Sequence, residues 1–89
     1  MVKWRSVDSS AVKRFGYSPD DNSLVVETTS DCAYMYEVTE EMMASFLMYD
    51  SIGKAYNELI RGEATQIAKG HIEIENGDPQ FHISKQQRA

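Results

Sequence analysis

The chain has 89 residues with 42% hydrophobic and 26% charged side chains, and its formal net charge is −5. This length accommodates a single domain, and the composition is that of a folded globular protein rather than a disordered one. The acidic balance disfavours tight sequence-independent binding to nucleic acid, which depends on neutralising phosphates, and it favours a partner with a basic surface.

Cysteine content and hydropathy indicate the cellular compartment of the protein. The single cysteine, Cys32, cannot form an internal disulfide, which indicates a reducing environment. No run approaches the roughly 18 apolar residues that a membrane span needs. The basic start at residues 1–6 is not followed by the apolar core of a signal peptide. We therefore expect a cytoplasmic protein that does not associate with membranes.

Three β-strands are predicted in the first half of the chain. Residues 11–17, 24–29 and 32–38 are rich in β-branched and aromatic side chains, which favour strands. The two intervening segments, 18–23 and 30–31, contain turn-forming residues. Strands joined by such short polar turns pair as an antiparallel meander.

Two helices are predicted next. Thr39 can cap a helix that continues through residue 49, with acidic residues in its first turn. Ser51 can cap a second helix that ends near Gly62. Its apolar residues recur at helical spacing: Ile52, Ala55, Tyr56, Leu59 and Ile60. A weaker helical stripe continues from Ala64 towards Gly70.

The C-terminal region predicts a β-hairpin over residues 71–84. Two alternating runs flank the turn at residues 76–79, which begins with Asn-Gly. The apolar face of this hairpin consists of Ile72, Ile74, Phe81 and Ile83. It must be covered either by its own domain or by a second copy, and we favour a homodimer. Residues 85–89 are expected to fray.

Together these elements predict an α+β fold in which a three-stranded antiparallel meander is covered by two helices and followed by a C-terminal β-hairpin extension. The expected division is a β-β-β-α-α domain over residues 1–62 and an extension over residues 63–89.

Residues 7–62 resemble the KTSC domain, a small module found alone in bacterial and phage proteins and at the C-terminus of some lysyl-tRNA synthetases. The matching landmarks are Ser9-Ser10, Tyr17, Leu24, Val26, the Tyr-x-Tyr signature Tyr34-Met35-Tyr36, the Ser-x-Gly signature Ser51-Ile52-Gly53, Asn57 and Ile60. The chain departs from the family at Asp31-Cys32, where a glycine is usual, and at Thr39, where a proline is usual. The synthetase context implies an association with RNA.

Several residues are candidates for binding. Tyr34 and Tyr36 share one strand face and either stack nucleobases or pack under the helices, and Tyr17 joins them in either case. The remaining candidates are the basic pair Lys13 and Arg14 and the helical pair Asn57 and Arg61. Arg61 could instead pair with Glu58.

We expect no catalytic activity, cofactor or metal. Neither His71 nor His82 lies near Cys32 in the sequence, so neither is placed to activate it as a nucleophile, and we favour an inert thiol. The two histidines lie at facing ends of the hairpin, but without cysteine or carboxylate support they make a poor metal site.

Two functions of different classes therefore remain. The first is a non-enzymatic RNA-associated module, which the KTSC resemblance implies. The second is an acidic protein-interaction module, for example a phage or mobile-element accessory or inhibitor protein. Residues 8–62 favour the second on physical grounds, since they hold ten acidic and four basic residues, a balance of −6.

Overall fold

The computed structural model describes residues 3–84, so the predicted fraying of residues 85–89 lies outside the described range. The strands are β1 (Lys3–Ser6), β2 (Val12–Ser18), β3 (Ser23–Thr28), β4 (Ala33–Glu37), β5 (Thr65–Glu75) and β6 (Asp78–Ile83). The helices are α1 (Glu40–Met48) and α2 (Ile52–Ala55), which continues as a π-helical segment (Tyr56–Ile60). All six strands form one antiparallel sheet in the order β1-β2-β3-β4-β5-β6.

The predicted fold class is wrong in its sheet. A three-stranded meander with a separate hairpin was expected, whereas one six-stranded sheet runs from β1 to β6 with only two short helices. The hairpin is not an extension, because β5 pairs along its first half with β4. The helical stripe predicted from Ala64 to Gly70 is instead the start of β5, and β1 was not predicted at all.

The core lies between one face of the sheet and the helices. Phe46 of α1 is fully buried and meets Phe15 of β2 edge to face, with ring centroids 5.1 Å apart. Val12 and Phe15 both enter this core although they are three positions apart, which a regular strand does not allow. The register of β2 against β3 shifts between Val12 and Arg14, and this bulge turns Val12 back to the core face.

Both predicted helix caps are present. The Thr39 hydroxyl accepts the backbone N–H of Met42 at 3.1 Å, and the Ser51 hydroxyl accepts that of Lys54 at 3.3 Å. The second helix then widens into a π-helical turn, in which the N–H of Arg61 donates to the carbonyl of Tyr56. Segments of this kind occur frequently at functional sites.

The hairpin turn is tight. Asn76 and Gly77 both have positive φ, of 54° and 85°, as a two-residue type I′ turn requires. In β5 the register against β4 shifts between Met35 and Tyr36, which leaves Ile67 as the extra residue of a bulge with 54% of its surface exposed. This bulge sets which side chains of β5 face the helices.

The sheet face away from the helices forms an open groove of about 660 Å³. Trp4 of β1 and Phe81 of β6 stand at its two sides, and Val25 and Met35 line its floor. The curvature of the sheet therefore brings the first and last strands towards each other.

Of the helices between residues 3 and 84, none has the length and apolarity that crossing a bilayer requires.

Candidate functional site

A polar cleft opens between the sheet and the π-helical segment, with a volume of about 570 Å³. We call it the polar cleft. Its lining consists of Ala11, Thr28, Thr29, Ser30, Tyr34, Tyr36, Tyr56, Asn57, Arg61 and Gln66. Hydroxyl and amide groups dominate this lining, and it contains a guanidinium group but no carboxylate. Although the chain has a net charge of −5, such a lining is suited to a negatively charged ligand that accepts hydrogen bonds.

Two buried tyrosines form the floor of the polar cleft. The hydroxyl groups of Tyr36 and Tyr56 are 2.7 Å apart and share a hydrogen bond, and their rings meet edge to face at 5.9 Å. Burial and this hydrogen bond raise the pKa of Tyr36 well above its ordinary value. Because only 3% of Tyr36 is exposed, its ring packs in the core and is not open to a stacking base.

Tyr34 stands at the rim instead. It is half-buried, and the Lys69 ammonium lies 5.8 Å from its ring centroid, within cation–π distance. Burial is the main cause that raises the pKa of Tyr34, and the adjacent Cys32 adds to it. Of the two alternatives for the Tyr-x-Tyr pair, core packing therefore holds for Tyr36, while Tyr34 borders the opening.

Arg61 is an exposed cation at the same rim. Within residues 3–84 it makes no ion pair, because Glu58, its possible sequence partner, instead accepts a hydrogen bond from the Tyr49 hydroxyl at 3.1 Å. Arg61 and Lys69 thus flank Tyr34 with two positive charges that no carboxylate of the described chain neutralises. Unpaired arginine is the side chain best suited to binding phosphate through several donors.

The far wall of the polar cleft is held by the loop between β3 and β4. Thr29 is fixed twice, because its N–H donates to the carbonyl of Ala11 and its hydroxyl to that of Ser10. Ser30 and Thr28 share a hydroxyl hydrogen bond of 2.8 Å. This wall is therefore fixed in place before any ligand arrives.

The Ser9 and Gly53 landmarks position the second helix. The Ser9 hydroxyl accepts the N–H groups of Ala11 and Val12 at 3.1 and 3.3 Å. Gly53 packs against this hydroxyl, since a Cβ on Gly53 would lie only 2.6 Å from Ser9 Oγ. A glycine is needed here because α2 approaches the Ser9 turn closely, and that approach carries Tyr56 and Asn57 to the polar cleft.

Four of the seven predicted binding residues line the polar cleft, namely Tyr34, Tyr36, Asn57 and Arg61. The other three lie outside its lining. Lys13 is exposed and pairs with Asp31 at 2.9 Å, and Tyr17 packs against the core from β2.

Arg14 is engaged elsewhere. Its Nε lies 2.9 Å from Oε1 of Glu27, whose side chain is only 6% exposed, although the angle does not make this contact a hydrogen bond. Arg14 therefore neutralises a buried carboxylate and is not free to contact a ligand.

Three parts of the cleft lining were not predicted from the sequence, namely Tyr56, Gln66 and the hydroxyl-rich loop at residues 28–30, and neither was Lys69 against the Tyr34 ring at the rim. Tyr56 had been assigned only to the apolar stripe of the second helix. Gln66 and Lys69 fall where a helix was predicted, and only the pairing of β5 with β4 places them opposite Tyr36 and Tyr34. The three hydroxyls in Thr28-Thr29-Ser30 were a visible signal in the sequence.

The four residues of the predicted hairpin interface divide into two pairs. Ile72 and Phe81 are half-buried cross-strand partners, and Phe81 lines the groove that also holds Trp4. Ile74 and Ile83 remain 56% and 66% exposed. The hairpin thus covers part of its apolar face within the chain, and the homodimer stays a prediction.

Comparisons with known proteins agree with the sequence resemblance. The family model for the KTSC domain matches residues 8–63. An uncharacterized protein of Stutzerimonas stutzeri is 33% identical over 61 residues, which cover 67% of this chain and 86% of that protein. The crystal structure of a KTSC domain protein from Yersinia pestis superposes with a TM-score of 0.68 at 25% identity, covering 75% of this chain and 96% of that one. The chain belongs to the KTSC domain family.

Proposed function

We propose that this protein is a non-catalytic binding module whose polar cleft takes a short single-stranded segment of RNA. The observation that carries the proposal is the charge of the polar cleft: Arg61 in its lining is unpaired within residues 3–84, Lys69 lies against the ring of Tyr34 at the rim, and no carboxylate lines the opening. These groups supply the donors that a phosphate requires in a chain that is otherwise acidic.

Tyr34 supports RNA as the phosphate-bearing ligand. Single-stranded RNA is recognised by stacking of its unpaired bases on aromatic side chains and by contacts to phosphate and the 2′-hydroxyl. Tyr34 offers a partly exposed ring, and Asn57 and Gln66 offer amide groups that can donate and accept. The cleft volume of about 570 Å³ lies within the usual range of ligand sites, about 300–1,000 Å³.

The polar cleft contains no histidine, no carboxylate and no thiol among its lining residues. A hydrolytic or transfer reaction needs a general base or an activated nucleophile, and the pKa of the Tyr36 hydroxyl on the floor is raised by burial, which keeps this group neutral. The proposal therefore assigns binding rather than turnover to this site.

Titration of labelled single-stranded RNA and of tRNA, at low and at moderate salt, tests the proposal. We expect binding that weakens steeply with salt, and we expect Arg61→Ala to reduce the slope of log K against log salt by about one. Lys13→Ala is the matched control, because it also removes one exposed positive charge but lies outside the polar cleft. Equal effects of the two substitutions would point to diffuse attraction and would remove the cleft from the mechanism.

A second candidate function is an acidic module that meets a basic protein surface. The exposed end of α1 favours it, since Met48 is 84% and Leu47 is 47% exposed and the first turn of the same helix holds Glu40 and Glu41. Absence of RNA binding at low salt, together with salt-sensitive binding to polylysine that Met48→Lys weakens, would favour this function over the first.

A further inference from the structure

Four potential metal ligands share one face of the β5–β6 hairpin. His71 and His82 are directly opposite cross-strand partners, and their rings stack with centroids 5.5 Å apart and an angle of 15°. Glu73 and Glu75 follow His71 at intervals of two along β5, so they project from the same face. We call these four residues the hairpin cluster.

The ligand atoms of Glu73, Glu75 and His82 converge, while His71 contacts Glu73 from the side. His71 Nε2 lies 2.6 Å from Glu73 Oε2, and His82 Nε2 lies 2.8 Å from Glu75 Oε2 and 3.7 Å from Glu73 Oε1. Ligand atoms of Glu73, Glu75 and His82 all lie within 4.8 Å of one another. The two histidines, expected to lack carboxylate support, thus each have a glutamate within hydrogen-bond distance.

These distances suit a small cation. Zinc bonds to nitrogen and oxygen are about 2.0–2.1 Å long, which at tetrahedral angles places neighbouring ligand atoms about 3.3 Å apart. The contacts of His82 with Glu75 and Glu73, 2.8 and 3.7 Å long, bracket that spacing, so small side-chain rotations would admit a cation between these three side chains. All four side chains are between 40% and 53% exposed, which leaves an open path from solvent.

We infer that the hairpin cluster is a binding site for a divalent transition metal, Zn²⁺ in the first place, with Glu73, Glu75 and His82 as ligands and His71 as the hydrogen-bond partner that orients Glu73. An imidazole with two carboxylates matches the donor preference of zinc and of neighbouring transition metals, whereas Mg²⁺ and Ca²⁺ prefer oxygen ligands alone. The inference is independent of the proposed RNA site, because no residue of the hairpin cluster lines the polar cleft.

A bound metal would also tie the two strands of the hairpin together. His82 lies on β6 and the other two ligands, Glu73 and Glu75, lie on β5, so coordination crosses the strand pair. Any ligand that binds only the folded state raises the melting temperature in a concentration-dependent way. The site would therefore stabilise the part of the sheet that extends beyond β4.

Isothermal titration of the metal-free protein with ZnCl₂ tests the inference. We expect one Zn²⁺ per chain and a melting temperature that rises with added Zn²⁺, while MgCl₂ has no such effect. His82→Ala and His71→Ala should each weaken the zinc affinity by about 10–100-fold or more, since loss of an outer-sphere partner alone costs that much. His82→Gln, which keeps a polar side chain on β6, should weaken it similarly and guards against a hairpin that fails to form.

Glu63→Gln is the matched control, since it removes one exposed carboxylate just before β5 and outside the hairpin cluster. It should leave the zinc affinity unchanged. Absence of zinc binding would overturn the inference. So would binding that survives both histidine substitutions, or equal binding of Mg²⁺, because either would indicate a nonspecific acidic surface.

Discussion

The helix-covered body of the sheet and the hairpin at its end solve the problem of stability differently. In the body, formed by β2, β3 and β4 under the helices, the largest core side chains are fully buried, with Phe46, Leu24 and Ile60 at 0% exposure. Along the outer half of β5 and along β6, the aliphatic residues Ile74 and Ile83 remain more than half exposed. One continuous sheet can therefore bury most of its apolar side chains at one end and leave apolar side chains at the other end exposed for recognition.

The sharpest test of this comparison is a pair of truncations. Phe46→Ala should lower the free energy of unfolding by about 3–5 kcal/mol, because it empties a fully buried volume between α1 and β2. Ile83→Ala should cost less than about 1 kcal/mol, since most of that side chain is already in water. Urea denaturation measures both. A comparable cost at Ile83 would mean that a second copy covers the hairpin face in solution.

Arg14→Ala should have the next largest effect, about 2–3 kcal/mol, by leaving the buried Glu27 carboxylate without its counter-charge. The value lies below that for a fully buried pair because 20% of the Arg14 side chain is exposed. Arg14→Met combined with Glu27→Leu should recover most of the loss, which thermal or urea unfolding can measure. Lys13→Ala, at an exposed ion pair, should change little. If Arg14→Ala left stability intact and weakened RNA binding, Arg14 would belong to the site after all.

Gly70→Ala probes the junction between the two regions. An added Cβ would collide with the backbone carbonyl of His82, and backbone cannot move aside as a flexible side chain can. We expect a cost of about 1–3 kcal/mol and faster amide hydrogen exchange in β6 than in β3. Gly62→Ala is the control, because a Cβ there meets nothing within 4 Å. Uniformly faster exchange throughout the sheet would show that body and hairpin unfold as one unit.

Tyr36→Phe should cost about 1–2 kcal/mol, because it removes the hydrogen-bond partner of the buried Tyr56 hydroxyl. It also predicts a pH dependence. The pKa of Tyr36 is raised in the folded state, so the folded protein holds this proton more tightly and its stability falls as pH rises above about 10. Urea unfolding at neutral and alkaline pH should show a shallower alkaline loss for Tyr36→Phe than for the wild type.

The sequence predicted correctly those elements whose formation depends on residues close by in the chain. Thr39 and Ser51 cap their helices as expected, and the Asn76-Gly77 turn closes the hairpin. The strand at residues 65–70 was missed because its pairing with β4 comes from residues about 30 positions away, and its bulge at Ile67 disrupts the alternation that marks a strand. β1 has one half-buried side chain, Trp4, and hence almost no pattern to detect.

The candidate site was predictable to the extent that its residues lie close in sequence. Tyr34 with Tyr36, and Asn57 with Arg61, were recognised as pairs, and both pairs line the polar cleft. Arg14 could not be assigned correctly, because its partner Glu27 lies on the next strand and the bulge in β2 decides the register between them. By contrast, Glu73 and Glu75 alternate with isoleucines on the same strand as His71, so their position on the face of that histidine was already visible in the sequence.

The two outer strands of the open sheet also bear on how the protein behaves when it is concentrated. An unpaired strand edge is a template for intermolecular β-sheet growth, and natural proteins obstruct such edges with short strands, charges and proline. Here one outer strand is the four-residue β1, which carries Lys3 and Arg5, and the other is β6, in which Pro79 lacks a donor N–H. Strand-to-strand polymerisation is therefore obstructed at both edges of the sheet, and concentrated preparations should form neither fibrils nor thioflavin-positive aggregates.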